Sequence, residues 1–89
     1  MAWTIELVPA AAKELNAIGM TQASRIVKFL STRVSKLDDP RSIGEALKGR
    51  LGQLWKYRIG DYRIIADIQD KQVLILVVRV GHRREVYKR

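Results

Sequence analysis

The sequence predicts a single α+β domain over residues 1–89, in which a small antiparallel-type sheet packs against an N-terminal helical hairpin. Two runs of alternating apolar and polar residues, 54–59 and 62–68, predict strands, and an apolar run at 73–80 predicts a third strand of the same meander. Apolar residues at helical spacing between 22 and 37 predict the longer helix. A chain of 89 residues is long enough for one small core.

The first two strands of the meander form a hairpin with a two-residue loop, Gly60 and Asp61. Glycine at the first loop position accepts a positive φ without steric cost, which favours a primed turn and fixes the register. The pairs that follow are Ile59 with Tyr62, Arg58 with Arg63, and Tyr57 with Ile64.

This register predicts a sheet with two different faces. The apolar face carries Trp55, Tyr57, Ile59, Tyr62, Ile64, Ala66 and Ile68, and the opposite face carries Lys56, Arg58, Arg63, Ile65 and Asp67. Two arginines placed directly across a ladder repel by up to about 1 kcal/mol. We therefore expect an anionic partner on the second face.

The position of Arg79 in the third strand depends on the turn before it. A strict two-residue loop would place Arg79 on the apolar face, whereas one bulged residue would place it with Arg58 and Arg63. We predict the bulge, because an arginine is rarely buried without a partner.

The N-terminal half supplies a strand and the helical hairpin. Residues 3–8 alternate as a short strand, Pro9 opens a helix over 10–18, and Gly19 ends it. Thr21 is the predicted N-cap of a helix over 22–37, with Ile26, Val27, Leu30, Val34 and Leu37 inside and Arg25, Lys28, Ser31, Thr32, Ser35 and Lys36 in solvent. We predict a loop over 41–52 after Pro40, with one helical turn near 45–48.

The charge balance also indicates an anionic partner, such as nucleic acid, phospholipid or an acidic protein. Seventeen Lys and Arg oppose nine Asp and Glu, which gives a net charge of +8 and a pI near 10.3. Residues 1–44 hold six basic and four acidic side chains, whereas residues 45–89 hold eleven and five.

The absence of cysteine excludes disulfides and thiolate sites, and a single histidine disfavours a metal cluster. Without a leader-like or membrane-spanning run, we expect a cytoplasmic protein.

A cluster of cations is the candidate site. If Lys56, Arg58, Arg63 and Arg83 converge, they complement a phosphodiester and the extra charge that develops during its cleavage. A lysine crowded by other cations loses its proton more readily and then acts as a general base. The alternative is a solvated basic face that binds anions loosely.

Further candidates border this cluster. Tyr87 is placed to stack on a base or to join proton transfer, although packing is the alternative role. The loop before the second strand and the end of the third strand add the predicted RNA or ribosome contacts Lys48, Arg50, Arg79, His82 and Arg84.

The order of elements, with the segments LKG, LWKYRIGDYRIIADI and VLILVVRVGHRREVY, resembles the RelE branch of the RelE/ParE toxin superfamily over essentially the whole chain. The resemblance implies a ribosome-dependent, metal-independent endoribonuclease without a cofactor. Such an enzyme cuts messenger RNA in the ribosomal A site by attack of a ribose 2′-hydroxyl on the adjoining phosphate.

The resemblance also implies roles for individual residues. Lys56 would be the general base, Arg83 would assist the leaving oxygen, Arg58 and Arg63 would stabilise the phosphorane, and Tyr87 would orient the nucleotide. Arg58 stands where the best-known members have lysine, which moves the base role to Lys56.

The implied partners are an acidic RelB-like antitoxin, the ribosome and mRNA, and operator DNA through the antitoxin complex, with no membrane. Two other functions stay open at the level of sequence. One is a ParE-like poison of DNA gyrase with the same fold. The other is a non-catalytic module that binds RNA or the ribosome through the same face.

Overall fold

The computed structural model describes residues 2–47 and 54–82. Its elements follow the order β1 (Thr4–Leu7), α1 (Pro9–Ala17), α2 (Met20–Thr32), β2 (Glu45–Ala46), β3 (Trp55–Ile59), β4 (Tyr62–Gln69) and β5 (Leu74–His82). Short 3₁₀ turns cover Val34–Lys36, Pro40–Ser42 and Asp70–Gln72. The predicted α+β architecture is confirmed.

The five strands form one mixed sheet in the order β1-β5-β4-β3-β2. Strands β2 to β5 pair antiparallel, whereas β1 runs parallel to β5 from Thr4 opposite Leu74 to Leu7 opposite Val77. The prediction of an antiparallel-type sheet was therefore wrong for β1. A parallel pair needs a long crossover connection, and here the chain between β1 and β5 includes both helices.

The register of the meander matches the prediction. Ile59 lies opposite Tyr62, Arg58 opposite Arg63 and Tyr57 opposite Ile64, and Gly60 has a φ of 57°. Further along, Ile65 pairs with Arg79 and Ala66 with Val77, so Val78 is an extra residue in β5. This bulge places Arg79 on the face of Ile65 and Arg63, as the charge argument predicted.

Helix α2 differs from its prediction at both ends. It begins at Met20 after Gly19, whose φ of 96° suits glycine, so Thr21 is not the N-cap. The helix ends at Thr32 and continues as the 3₁₀ turn Val34–Lys36. Ser35, predicted to be solvated, is 8% exposed and donates its hydroxyl to the Ser31 carbonyl at 2.7 Å. Val27, predicted to be internal, is 47% exposed.

The segment between α2 and β3 forms a strand where a helical turn was predicted. Glu45 pairs with Lys56 and Ala46 with Trp55. Two side chains of β3 hold the preceding loop, because Trp55 Nε1 donates to Ile43 O at 2.7 Å and Tyr57 Oη donates to Pro40 O at 2.6 Å. This attachment adds β2 to the edge of the sheet.

The core lies between the two helices and one face of the sheet. Ala11 and Leu15 of α1 and Ile26 and Leu30 of α2 pack with sheet residues that include Tyr57, Ile64, Ala66, Ile75, Val77 and Val80. Trp55, Ile59 and Tyr62 are partly buried against the same cluster, which confirms the predicted apolar face.

Within the two described ranges, no helix combines the length and apolar character that a membrane crossing requires.

Candidate functional site

Strand alternation places four basic residues on the face of the sheet opposite the helices. We call this set the cationic face: Lys56 and Arg58 on β3, Arg63 on β4, and Arg79 on β5. Its members are joined through the ladder, since Arg58 lies opposite Arg63 and Ile65 lies opposite both Lys56 and Arg79. The meander therefore brings together the cations that the sequence distributes over 24 positions.

Arg63 is the most unusual side chain of the cationic face. It is only 8% exposed, yet its Nε and Nη1 have no hydrogen-bond partner within the part of the chain that is described. A buried polar group without a partner is costly, and a buried charge costs several kcal/mol more. The unpaired N–H groups of a guanidinium are donors whose geometry matches that of phosphate and carboxylate oxygens.

Two neighbours shape the position next to Arg63. On one side, Arg58 lies directly opposite and is exposed, so a second cation borders the buried guanidinium. On the other side, Gly81 of β5 lies directly opposite and carries no side chain. Facing residues of an antiparallel pair have Cβ atoms about 4.5–5.5 Å apart, which brings the two arginines within reach of one phosphate group.

Lys56 has an acidic neighbour that the sequence analysis missed. Its Nζ lies 3.6 Å from Glu45 Oε2, and the lysine side chain is 19% exposed while that of Glu45 is 71% exposed. Glu45 faces Lys56 across the β2–β3 ladder. The cationic face therefore has a carboxylate at its edge. The sequence signal for this contact is Gly44. A Cβ at this position would lie 2.5 Å from Lys56 O, so glycine allows the chain before β2 to pass close to β3.

Arg79 contacts α1 from the edge of the sheet. Its Nε donates to Glu14 Oε2 at 2.9 Å, and Glu14 Oε1 accepts the backbone N–H of Val80 at 2.8 Å. The Arg79 side chain is 33% exposed and that of Glu14 is 30% exposed. The ion pair neutralises Arg79, which makes it a weaker candidate for binding RNA than Arg58 or Arg63.

The other predicted site residues divide into one that lies elsewhere and five that are not described. His82 lies opposite Tyr62, and their rings meet edge to face with centroids 5.8 Å apart. This register places His82 on the helix side of the sheet, away from Arg63. The remaining candidates fall outside the described residues: Lys48, Arg50, Arg83, Arg84 and Tyr87.

The described residues contain no group of three or more histidine, cysteine or acidic side chains placed to hold a metal ion. The cationic face presents fixed cations with the Glu45 carboxylate beside them. Fixed cations stabilise negative charge that develops on a bound phosphate.

The fold and this face define a class: a small basic α+β domain with a cluster of cations on one face of its sheet. Comparison with known proteins agrees and is more specific. Residues 5–87 match the family model described as the ParE toxin of type II toxin-antitoxin systems, parDE. The chain belongs to this family, within the RelE/ParE toxin superfamily, and it is a toxin of a type II toxin–antitoxin system. The predicted superfamily is confirmed.

Individual relatives extend the comparison. The chain is 26% identical to Toxin RelG of Mycobacterium tuberculosis (strain ATCC 25618 / H37Rv) over 89 residues, covering 100% of both chains. It is similar in structure to the toxin–antitoxin complex RelBE2 from Mycobacterium tuberculosis, with a TM-score of 0.84, 23% identity and 92% of each chain covered. A mutant E. coli toxin RelE in the free state gives a TM-score of 0.76 at 25% identity, covering 98% of this chain and 92% of that one.

Proposed function

We propose that this toxin is a ribosome-dependent endoribonuclease that cleaves mRNA in the ribosomal A site. The observation that carries the proposal is the guanidinium of Arg63, which is buried and lacks partners for Nε and Nη1 among the described residues. A sequence selected for stability alone would pair or replace this side chain. A function that binds a phosphate gives a reason to keep it.

The arrangement suits the phosphate chemistry that the resemblance implies. The 2′-hydroxyl oxygen attacks the adjoining phosphorus, and the bond from phosphorus to the 5′-oxygen of the next nucleotide breaks. The products are a cyclic phosphate and a free 5′-hydroxyl. The phosphorane between them carries more charge than the substrate, so Arg58 and Arg63 stabilise it more strongly than the ground state.

The reaction also needs a group that takes the 2′-hydroxyl proton. We assign this step to Lys56, which takes the proton after passing one of its own to the Glu45 carboxylate, whose Oε2 lies 3.6 Å from Nζ at the edge of the cationic face. Lys56 is the base that the resemblance implies, and Glu45 is the carboxylate that the fold adds to it. Arg83 would assist departure of the 5′-oxygen, and Tyr87 would stack on the nucleotide.

The partners follow from charge and from the relatives. A net charge of +8 suits an acidic antitoxin segment, and the RelBE2 structure from Mycobacterium tuberculosis is itself a toxin–antitoxin complex. Lys48, Arg50 and Arg84 would contact RNA or the ribosome, whereas the position of His82 on the helix side of the sheet argues against the contact predicted for it. Operator DNA would be bound through the antitoxin complex, and the toxin would act in the cytoplasm, where ribosomes are.

The test maps RNA ends after induced expression. The parent should create new 5′-hydroxyl ends inside translated codons, and Arg63→Ala and Arg83→Ala should each lower their yield by about 10²- to 10³-fold, as loss of one transition-state donor does. Lys71→Ala is a matched control, because Lys71 is an exposed cation in the 3₁₀ turn between β4 and β5. Full toxicity of both arginine variants would contradict the nuclease assignment.

A second function has one observation in its favour: the family model that matches residues 5–87 is that of ParE toxins. A ParE-like poison of DNA gyrase would cause DNA-damage signalling without new RNA ends. Growth inhibition with neither RNA ends nor DNA damage would instead indicate a non-catalytic module that blocks the ribosome.

A further inference from the structure

Strand β5 extends well beyond the strand that supports its outer edge. Strand β1 pairs with β5 only from Leu74 to Val77, although β5 runs to His82. The unsupported part begins at the bulge that leaves Val78 without an opposite residue. It contains Gly81, which lies directly opposite Arg63.

Glu14 of α1 occupies the edge that β1 leaves open. Its Oε1 accepts the Val80 N–H at 2.8 Å, as a neighbouring strand would, and its Oε2 accepts Arg79 Nε at 2.9 Å. Val80 is 1% exposed, so water is a poor substitute for this carboxylate. A single side chain thus holds two consecutive residues immediately after the bulge.

We propose that Glu14 is a positioning residue for the phosphate site, because it fixes the end of β5 and thereby the distance between Gly81 and Arg63. The proposal rests on the proposed function, since it assigns Glu14 to the site built around Arg63. Arg79, which the sequence predicted to contact RNA, belongs to this contact between α1 and β5.

The physical reason is the local weakness of β5. A bulge interrupts the ladder and increases the twist, and an edge without a strand frays more easily than a paired one. Fraying would move Gly81 away from Arg63 and admit water to the buried guanidinium. A misplacement of about 1 Å costs up to about 100-fold in rate, even when no contact to substrate is lost.

The test compares Glu14→Ala and Glu14→Gln with the parent and with Lys13→Ala, an exposed control in the same helix. Two quantities are measured: the hydrogen-exchange rate of the Val80 amide, and the single-turnover rate of mRNA cleavage at saturating ribosomes. We expect Glu14→Ala to speed Val80 exchange and to slow cleavage by about 10- to 100-fold, with ribosome affinity unchanged within about threefold.

Glu14→Gln separates positioning from general stability. It keeps one oxygen that accepts the Val80 N–H, so we expect it to recover most of the rate even though its charge pair with Arg79 is lost. A merely structural Glu14 would lower the melting temperature of both variants and leave the rate per folded molecule unchanged, and that result would overturn the proposal.

Failure of the proposed function is distinguishable from failure of this inference. If the parent cleaves no mRNA, the nuclease assignment fails, and positioning is then judged from the shift of the Arg63 Nε–H resonance on titration with inorganic phosphate. Parent-like phosphate binding or parent-like Val80 exchange in Glu14→Ala would overturn the role of Glu14. Weaker binding together with faster exchange would support it.

Discussion

Arg41 and Arg63 have opposite environments. Arg41 is exposed and paired with a carboxylate, whereas Arg63 is buried and has no partner for two of its nitrogens among the described residues. Arg41 lies at the surface, and its Nη1 and Nη2 donate to the two carboxylate oxygens of Asp70, each at 3.0 Å. Arg63 is 8% exposed, and its Nε and Nη1 have no partner in the described ranges. The exposed arginine thus has a bidentate carboxylate partner, although an unpaired charge costs more free energy at the buried arginine.

This difference bears on whether each arginine supports the fold or the proposed phosphate site. Hydrogen bonding to Asp70 raises the pKa of Arg41 above its usual value, against a smaller opposing effect of desolvation. The ion pair connects the 3₁₀ turns Pro40–Ser42 and Asp70–Gln72. Arg63 makes no comparable contact within residues 2–47 and 54–82, and we propose that a bound phosphate is its partner. The predictions that follow test this contrast, beginning with the largest effect.

Replacement of Arg63 should separate activity from stability. Arg63→Met keeps most of the side-chain volume and removes a buried charge, so the free energy of unfolding should be unchanged or rise by about 1–4 kcal/mol. The cleavage rate should fall by about 10²- to 10³-fold, because a transition-state cation is lost. Urea unfolding and single-turnover cleavage measure the two effects on the same preparation.

Arg58→Met is the matched comparison for this prediction. Arg58 lies opposite Arg63 but is exposed, so its replacement removes a cation without removing a buried charge. Its stability change should be small, whereas its activity should also fall. A marked destabilisation of Arg63→Met would contradict our account, because it would mean that the guanidinium supports the fold.

The elements that the sequence predicted well are those with local causes. Gly60 fixed the hairpin register, and the cost of burying Arg79 predicted the bulge in β5. Tertiary contacts decided the rest. Glu14 meets Arg79 across 65 positions of sequence, and the two-residue strand at Glu45 exists only because β3 holds it. No periodicity in the sequence could reveal either contact.

Replacement of Gly44 should give the second-largest effect, which is a loss of stability. Its φ is +82°, and a Cβ would lie 2.5 Å from Lys56 O and 2.8 Å from Trp55 Nε1. Gly44→Ala should lower the free energy of unfolding by about 2–6 kcal/mol, since the left-handed backbone and the forced contact each cost about 1–3 kcal/mol. Gly19→Ala is the control, because Gly19 also has a positive φ, +96°, but no atom lies within 4 Å. Equal losses in urea unfolding would contradict the contact at Gly44.

Tyr57 should give a smaller change with a distinct pH dependence. Tyr57→Phe leaves the Pro40 carbonyl without its donor, at a cost of about 1–3 kcal/mol near neutral pH. Burial raises the pKa of Tyr57 from 10.0 to about 12. The folded state therefore favours the protonated phenol, and the parent should lose stability between pH 10 and pH 12 as the unfolded chain ionises first.

Thermal unfolding of Tyr57→Phe across that pH range checks the assignment. The variant should show a flatter decline above pH 10, because the tyrosine with the raised pKa is gone. Tyr62→Phe, which replaces a half-buried tyrosine on the same face, is the matched control. Identical slopes in all three proteins would contradict the burial argument.

The ion pair of Arg41 with Asp70 should give the smallest effect, since it lies at the surface. The hydrogen bond from Arg41 lowers the pKa of Asp70 below its usual value of 3.8. Its stabilisation is therefore present above pH 3.8 and is lost as the pH falls through the lower folded value. Asp70→Asn should remove part of the acid sensitivity of the melting temperature and change it little at neutral pH. If Asp70→Asn were as destabilising at pH 7 as Tyr57→Phe, the surface pair would be a main support of the fold, and the contrast between Arg41 and Arg63 would need a different explanation.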